Sequence, residues 1–175
     1  MFDKLVDLFV TFIEAFQVYT FVNQYEQTVI LRCGKFHRVK GPGFRWLIPA
    51  KFERSLPFNV VPDPMELDIQ SLHTQDGYAI NFNIGLIWKV TDIRVFLLEW
   101  ESTEEMIGLL AYGVCSNSII DSKWAIVNTN KFLQSLKAPI NRKVRKRGAE
   151  VTEIMRVNCS NGEAARYWHE GIEIG

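Results

Sequence analysis

The strongest pattern along the chain is an alternation between positions 78 and 90. Every second position carries a large apolar side chain: Tyr78, Ile80, Phe82, Ile84, Leu86 and Trp88. Side chains with a period of two share one face of a β-strand, so this segment predicts a strand with one buried face. The Asp76-Gly77 pair before it is typical of a tight turn, and we therefore expect a hairpin that joins residues 67–70 to residues 78–90.

Shorter strand patterns precede this hairpin. A β-branched run at residues 27–32 ends at Gly34 and predicts a strand. We interpret residues 34–38 as a short connection before a Lys-Gly-Pro-Gly turn at residues 40–43. Residues 55–68 contain three prolines, and because proline cannot donate to a strand ladder we expect an edge or irregular strand there.

The Gly-Pro-Gly triplet at residues 41–43 raises the question of a phosphate loop. A Walker loop needs a Gly-Lys-Ser/Thr ending and a following helix, and a dinucleotide fingerprint needs a helix N-terminus to receive pyrophosphate. Neither follows here, because residues 44–48 form a short apolar run that ends at Pro49. The glycines therefore predict a tight turn, and the run behind them is expected to pack on the core or on a lipid surface.

Helical spacing begins after residue 100. Residues 102–105 have the Ser-x-x-Glu spacing of a capping box and predict the start of a first helix. The apolar side of a second helix, which begins near Asn130, is expected to carry Phe132, Leu133, Leu136, Ile140 and Val144. Pro139 is expected to kink or split this helix, and Gly148 to cap it. Residues 149–157 alternate again and predict a final strand.

The first 21 residues form a long apolar stretch interrupted by acids. Polar side chains recur at helical spacing, at Asp3, Asp7, Thr11, Glu14 and Gln17. A helix would carry them on one narrow stripe and cover its remaining surface with apolar residues. About a dozen such residues contribute roughly −4 to −7 kcal/mol to membrane insertion, whereas two central acids cost roughly 5 to 7 kcal/mol. A single spanning helix is therefore only marginally stable.

Two arrangements avoid the cost of these acids. The helix lies in the headgroup region with its polar stripe facing water, or several helices span together and bury their stripes against one another. A helix docked on the protein's own core is the alternative, but the narrow stripe leaves more apolar surface than one packing contact normally covers. The segment has no basic start and no small-residue cleavage site, so a removable signal peptide is not expected.

Charge and cysteine content narrow the function classes. The 175 residues include 20 Lys or Arg and 20 Asp or Glu, and this net charge of zero gives no overall reason to expect nucleic acid. Three cysteines without close pairing favour a reducing compartment over a disulfide framework. Cations gather at residues 137–147, which indicates a solvated helix end or a contact with anionic lipid or an acidic partner. No aromatic residues interleave with them, which argues against a nucleic-acid site.

The sequence predicts no catalytic site. Cys33 and His37 are its one close Cys-His pair, and without two further ligands they are poor candidates for a metal site. Turn chemistry explains Asp76, and Cys115, which lies in an apolar helix, is expected in the core. We therefore expect no catalytic residue, no cofactor and no metal.

Four segments follow one another in a specific order. They are Val22-Asn-Gln-Tyr-Glu leading to the strand before Gly34-Lys, Lys40-Gly-Pro-Gly with Pro49 behind it, Thr74-Gln-Asp-Gly with the alternating strand, and Arg147-Gly-Ala-Glu-Val-Thr-Glu-Ile. In this order they resemble the band 7 family, also called the stomatin-prohibitin-flotillin-HflK/C domain. The last segment has Arg147 where the family usually has an aromatic residue.

The resemblance implies an α+β fold. We expect an N-terminal membrane-associated helix over residues 1–21 and a short polar tail over residues 160–175. Between them, residues 22–159 are expected to form a strongly curved, mostly antiparallel sheet, then two or more helices and a final strand. Most relatives continue into a long Ala/Glu-rich coiled coil that this sequence does not show. An oligomer is therefore expected to form through the globular domain, the N-terminal helix, or both.

The resemblance also implies a function without catalysis. We expect a membrane-associated scaffold that forms homo-oligomers and organises membranes or membrane proteins, with its globular domain in a reducing compartment. The alternative is a soluble interaction module or regulator that docks its N-terminal helix on a partner such as a membrane protease or a structural assembly. The residues expected to contact membrane lipid are Phe2, Leu5, Leu8, Phe9, Phe12, Ile13, Phe16, Phe44, Trp46, Leu47 and Ile48. The residues expected to contact a partner or a second copy are Asp7, Glu14, Arg142, Lys143, Arg145 and Lys146.

Overall fold

A computed structural model describes residues 4, 6–7, 9–11, 19–48 and 52–161. The chain divides into two compact units, Met1–Val61 and Pro62–Gly175. The chain contains both strands and helices, and every strand pairing in the described part is antiparallel. The predicted α+β class is confirmed, and the strands divide into three sheets.

The first unit contains two small sheets. Strands β1 (Tyr19–Val22) and β4 (Gly43–Trp46) form a two-stranded sheet, and a three-stranded sheet has the order β3-β2-β5. The strands of the second sheet are β2 (Glu26–Arg32), β3 (Lys35–Lys40) and β5 (Glu53–Asn59). In the middle strand, Thr28, Val29 and Ile30 are fully buried and form the centre of this unit.

Strand β3 corrects the prediction that residues 34–38 form a connection. The turn between β2 and β3 consists of Cys33 and Gly34 alone, both with positive φ, at 50° and 77°. Two such residues are enough to reverse the chain, as in a type I′ hairpin, so that Arg32 pairs directly with Lys35. The strand was missed because its alternating positions are mostly charged and show no apolar face.

The second unit is built around one long central strand. Strand β8 (Ala79–Val90) pairs along one side with β9 (Ala149–Asn161), and on its other side with β6 (Asp63–Glu66) and β7 (Gln70–His73). The alternation is confirmed, because the five apolar residues from Ile80 to Trp88 are at most 3% exposed. Tyr78 lies before the strand and is exposed. The hairpin partner is Gln70–His73 and not residues 67–70.

Two of the three prolines of residues 55–68 lie on sheet edges, as predicted, and Pro62 lies just before β6. Pro57 is in β5 and Pro64 is in β6, and each of these strands pairs on one side only within the described residues. A proline at an edge can direct its missing N–H away from the ladder, so pairing is preserved.

The helices of the second unit lie between β8 and β9. They are α1 (Ile93–Leu98), α2 (Thr103–Ile120), α3 (Trp124–Val127) and α4 (Asn130–Val144), followed by a 3₁₀ turn at Arg145–Arg147. The predicted apolar side of α4 is buried at all five positions from Phe132 to Val144. Pro139 does not split this helix, which runs through it without a break. The final strand is confirmed.

The predicted capping box at the start of α2 does not form. Ser102 has a left-handed backbone, with φ 49° and ψ 48°, and its side chain makes no capping hydrogen bond. A capping side chain normally requires extended backbone at this position. Instead, the neighbouring Thr103 donates its hydroxyl proton to the carbonyl oxygen of Phe96 at 2.7 Å and ties α2 to α1.

Gly148, predicted to cap α4, instead caps the 3₁₀ turn Arg145–Arg147 that follows α4, and it leads directly into strand β9. Its φ of 76° is left-handed, and a Cβ at this position would lie 2.3 Å from the carbonyl oxygen of Asp92. Its own carbonyl oxygen accepts hydrogen bonds from Thr91 N at 2.8 Å and from Asp92 N at 3.0 Å. A glycine is required here both by the backbone conformation and by the close approach of another chain segment.

Six of the first eleven residues are described, and all six are helical. Thr11 donates its hydroxyl proton to the carbonyl oxygen of Asp7 at 2.7 Å, which is the spacing of one helical turn. Within the described ranges, the structure contains no helix that is both long and apolar enough to cross a membrane. The rest of the predicted N-terminal helix lies outside the described residues.

Candidate functional site

The two-stranded sheet of the first unit carries four aromatic side chains on one face. Tyr19 pairs with Trp46 and Phe21 pairs with Phe44 in the register of β1 and β4. Paired residues share a face, and so do residues two apart along a strand, so all four rings project to the same side. We call these four residues the aromatic surface.

The rings of the aromatic surface are exposed and pack on one another. Their exposed fractions range from 42% for Phe44 to 69% for Trp46. The ring centroids of Tyr19 and Phe44 lie 5.8 Å apart, those of Phe21 and Phe44 lie 5.3 Å apart, and those of Phe44 and Trp46 lie 5.1 Å apart. Contacts of this kind favour a fixed arrangement of the rings, and the result is a continuous apolar surface that faces outward.

The opposite face of this sheet is directed into the unit. Val22 is 5% exposed and lies on the strand face that does not carry the rings. Leu47, just beyond β4, is 8% exposed, whereas its neighbour Ile48 is exposed. The sequence predicts that Phe44, Trp46, Leu47 and Ile48 contact the membrane as one run. Because Leu47 is buried in the unit, we omit it from the surface proposed below.

Sequence reasoning missed half of the aromatic surface. Residues up to 21 were assigned to an N-terminal helix, whereas Tyr19 and Phe21 belong to strand β1. A local signal was available, since Tyr19, Phe21 and the following residues alternate with a period of two up to Val22. Their pairing with β4 was not predictable in the same way, because the two strands are separated by a complete hairpin.

The other expected membrane-contacting residues belong to the N-terminal segment. Phe9 is described, helical and exposed, and Asp7 on the expected polar stripe is exposed as well. The remaining expected residues of this segment lie outside the described ones: Phe2, Leu5, Leu8, Phe12, Ile13, Glu14 and Phe16.

A group of cations surrounds one buried carboxylate in the same unit. Glu53 accepts hydrogen bonds from Arg32 Nε at 3.1 Å, from Arg32 Nη2 at 2.7 Å and from the backbone N–H of Ile48 at 3.1 Å. Arg38 Nη2 lies 3.7 Å from its second oxygen, and His37 Nε2 lies 3.9 Å from the first. The Ile48 contact connects this group directly to the residues that follow β4.

A β-bulge brings His37 and Arg38 to the same carboxylate. The register of β2 and β3 shifts between Ile30 and Leu31, so that His37 is the extra residue. Without the shift, consecutive residues of β3 would project to opposite faces. Burial raises the pKa of Glu53, but its hydrogen bonds to Arg32 and Ile48 and the charges of Arg38 and Arg32 outweigh this effect and hold the pKa below its ordinary value.

The cations at the end of α4 are exposed but not equivalent. Arg142, Lys143, Arg145 and Lys146 all lie on the surface. Arg145 forms a hydrogen-bonded ion pair with Glu150, and this contact holds the pKa of Glu150 below its ordinary value. In the described part of the chain, Arg142, Lys143 and Lys146 have no ion-pair partner.

Asp76 serves the fold of the second unit. Its carboxylate accepts hydrogen bonds from the hydroxyl of Thr74 at 2.6 Å and from the backbone N–H of Trp124 at 3.0 Å and 3.2 Å. The Thr74 hydrogen bond is the main reason that the pKa of Asp76 lies below its ordinary value. These contacts join the β7–β8 turn to the start of α3, so the carboxylate has a structural use in addition to the predicted turn.

Among the described residues, the cysteines and histidines do not gather into a metal site. Cys115 is fully buried, and burial raises its pKa to about 12, which keeps the thiol protonated. Cys33 is exposed at the tip of the β2–β3 hairpin. In the parts of the chain that the structure describes, no three His, Cys, Asp or Glu residues lie close enough to hold a metal ion.

The model of the SPFH domain / Band 7 family matches residues 20–158 of this sequence. The chain belongs to this family. Two curated relatives are stomatin homologs from the archaea Pyrococcus horikoshii and Pyrococcus abyssi. Each is 28% identical to this chain over 71 residues, which is 41% of this chain and 26% of the relative. The chain thus matches only about a quarter of the length of these relatives.

The segments that resemble the family's motifs have identifiable structural roles in this Band 7 chain. The Thr74 and Asp76 pair organises the turn that joins the sheet to α3, and Gly43 adopts a φ of 116° where the Gly-Pro-Gly turn enters β4. At the position where the family usually has an aromatic residue, the guanidinium carbon of Arg147 lies 3.2 Å from the centre of the Trp100 ring. A planar guanidinium stacked on an aromatic face occupies similar space to a second ring.

Proposed function

We propose that this Band 7 chain is a membrane-associated scaffold that contacts lipid through the aromatic surface of its first unit. Family membership supports a membrane-associated scaffold role in general, without catalysis of its own. The observation that carries the specific proposal is the set of four mutually packed rings on the outward face of β1 and β4. Such a group fits the interfacial region of a bilayer, where the polar atoms of Tyr and Trp remain hydrated and their rings contact acyl chains.

The proposed lipid contact includes residues before and after residues 12–18, which lie outside the described ranges. Phe44, Trp46 and Ile48 project outward from β4 and its continuation, together with Tyr19 and Phe21 from β1. The N-terminal segment, with Phe9 exposed, precedes β1 directly in the sequence and adds further apolar contact. Two apolar contacts in one chain are consistent with stable attachment, because a single weak contact gives only reversible binding.

We propose further that the chain assembles into homo-oligomers. Helix α2 is apolar on several sides, and it leaves Leu109, Tyr112 and Ile120 exposed on one side of the helix. Helices of this kind are normally covered on all sides. The exposed cations Arg142, Lys143 and Lys146 at the end of α4, and the acidic residues Asp7 and Glu14, are the polar contacts that we assign to a second copy or a partner.

Liposome flotation of the full chain tests this proposal. We expect the protein to co-float with vesicles, and we expect Phe44→Asp/Trp46→Asp and Phe9→Asp/Phe12→Asp each to weaken flotation, with the largest loss when all four changes are combined. The matched control is Ile69→Asp, at an exposed apolar residue of the second unit to which no contact is assigned, and it should leave flotation unchanged. Failure of the wild type to co-float would contradict lipid contact and favour the soluble interaction module.

Light scattering of the detergent-extracted protein tests assembly separately. The proposal predicts a mass of several chains, and Leu109→Asp should reduce it. A mass of one chain at all concentrations would exclude the homo-oligomer and leave the membrane contact untouched.

A further inference from the structure

The first unit is positively charged although the whole chain is neutral. The unit, Met1–Val61, contains eight Lys or Arg and five Asp or Glu, a net charge of +3, and the remainder of the chain carries the opposite charge. Within it, residues 19–61 contain seven Lys or Arg and two Glu, a net charge of +5. The same 43-residue stretch carries the aromatic surface. Apolar and cationic groups are thus concentrated in one small unit.

Four of these seven cations lie on two adjacent strands, β2 and β3. Arg32, His37 and Arg38 approach Glu53, and Lys35 and Lys40 lie at the two ends of β3. In the register of the sheet, Lys35 pairs with Arg32, Arg38 pairs with Ile30 and Lys40 pairs with Thr28, so these side chains share one face. We call Arg32, Lys35, Arg38 and Lys40 the basic cluster.

The basic cluster retains excess charge after its internal pairing. Its four cations have Glu53 as their one ion-pair partner among the described residues, which leaves a net charge of +3 without His37. Arg32 and Arg38 form ion pairs with this carboxylate, whereas Lys35 and Lys40 have no ion pair in the described ranges. These two lysines are therefore the cations that are free to attract an external anion.

The basic cluster is connected to the aromatic surface at two points. Lys40 is separated from the first residue of β4 by Gly41 and Pro42 alone. On the other side, the backbone N–H of Ile48 donates to Glu53, the carboxylate that holds Arg32 and Arg38. The rings and the cations thus belong to one small unit, and the attraction of such cations for an anionic surface acts over about 8 Å at physiological ionic strength.

We infer that the first unit recognises an anionic lipid surface, with the rings in the interfacial region and the basic cluster held to acidic headgroups. This inference rests on the proposed membrane contact and adds a lipid class to it. A bilayer with acidic lipids offers an apolar region and a negative plane side by side, which matches the arrangement of rings and cations. Attachment by two different signals is also more stable than attachment by apolar contact alone.

A single-stranded nucleic acid is the competing ligand for aromatic and basic residues on a sheet. Such ligands stack their bases on separate, freely accessible rings. Here Phe44 contacts three other rings with centroid separations of 5.1 to 5.8 Å. The rings pack on one another and form a continuous apolar surface. This arrangement favours a bilayer over a single-stranded nucleic acid as the ligand.

The test measures partition of the full chain onto vesicles of phosphatidylcholine alone and of phosphatidylcholine mixed with phosphatidylserine. We expect stronger binding to the mixed vesicles, and we expect sodium chloride to remove this preference. Lys35→Gln/Lys40→Gln should lower the partition coefficient on mixed vesicles roughly 25-fold, or about fivefold per cation, with little effect on neutral vesicles. The matched control Lys123→Gln/Lys131→Gln changes two exposed lysines of the other unit and should change binding less than about twofold.

Three results would overturn the inference. They are equal binding to both vesicle types, an equal loss in the control variant, and displacement of the protein from mixed vesicles by single-stranded RNA. The salt dependence of the wild type decides the question even if the lysine variant folds poorly. Binding to neutral vesicles without any preference would contradict the anionic lipid and leave the proposed membrane contact intact, whereas no binding to either vesicle would contradict the proposed function itself.

Discussion

The side-chain amide of Asn141 makes both hydrogen bonds that a neighbouring strand would give to Val151. Asn141 Nδ2 donates to the carbonyl oxygen of Val151 at 2.9 Å, and the backbone N–H of Val151 donates to Asn141 Oδ1 at 2.8 Å. Lys137, one turn earlier on α4, donates to the carbonyl oxygen of Thr152 at 2.5 Å. Helix α4 thereby covers part of the outer edge of β9, which would otherwise present unpaired backbone groups.

Replacement of Asn141 by leucine should therefore be strongly destabilising. Asn141→Leu keeps the volume of the 7% exposed side chain but leaves two buried backbone groups without partners. We expect a loss of about 2 to 5 kcal/mol in the free energy of unfolding, measured by chemical denaturation. Asn130→Ala, at an exposed position of the same helix, is the control and should change stability by less than about 1 kcal/mol. A small effect of Asn141→Leu would mean that water replaces the amide.

A pair of glycine substitutions separates backbone strain from helix propensity. Gly148→Ala should destabilise by about 2 to 6 kcal/mol, because alanine disfavours the left-handed conformation and its Cβ would collide with the backbone of Asp92. Gly113→Ala, inside α2 with no atom within 4 Å of an added Cβ, should instead stabilise by up to about 1 kcal/mol. Thermal unfolding measures both. A loss of less than about 1 kcal/mol in Gly148→Ala would contradict the described junction at Gly148.

Acid should weaken the first unit through Glu53. The pKa of this group is lower in the folded protein than its ordinary value of 4.5, so its ionised form contributes stability above that pH. The contribution is lost as the pH falls through the folded pKa, because the proton then binds to the carboxylate between Arg32 and Arg38.

The difference in unfolding free energy between the wild type and Glu53→Gln measures this contribution. It should be largest near neutral pH and shrink as the pH falls below 4.5. Glu26→Gln, at another carboxylate of the unit, is the control. A difference that does not depend on pH would show that the Arg32 and Arg38 contacts do not stabilise the ionised form.

The sequence predicted those features that depend on neighbouring positions. The strand at β8 and the buried side of α4 follow from one continuous period each, and the turn at Asp76-Gly77 follows from two adjacent residues. Strand β3 was missed because charges occupy its alternating positions. The capping box failed because the φ of Ser102, and not its side chain, decides whether the hydroxyl can reach the helix.

The aromatic surface and the basic cluster were predictable only in part, because strands that are distant in the sequence form them. Phe44 and Trp46 stand out as an exposed aromatic run behind a glycine turn. Tyr19 and Phe21 join them through the pairing of β1 with β4, and the basic cluster forms around Glu53 through pairing of three strands and a bulge. Such long-range pairings are not encoded in any short window of the sequence.

The central claim is that the aromatic surface enters a lipid interface, and quenching of tryptophan fluorescence by brominated lipids tests it most directly. Trp46→Phe keeps an apolar ring and should retain vesicle binding, but it should remove a large part of the quenching seen for the wild type. Trp100→Phe, which changes a ring of the second unit that contacts Arg147, is the control and should leave the quenching unchanged. Equal quenching in the wild type and Trp46→Phe, with both proteins bound to vesicles, would contradict the account.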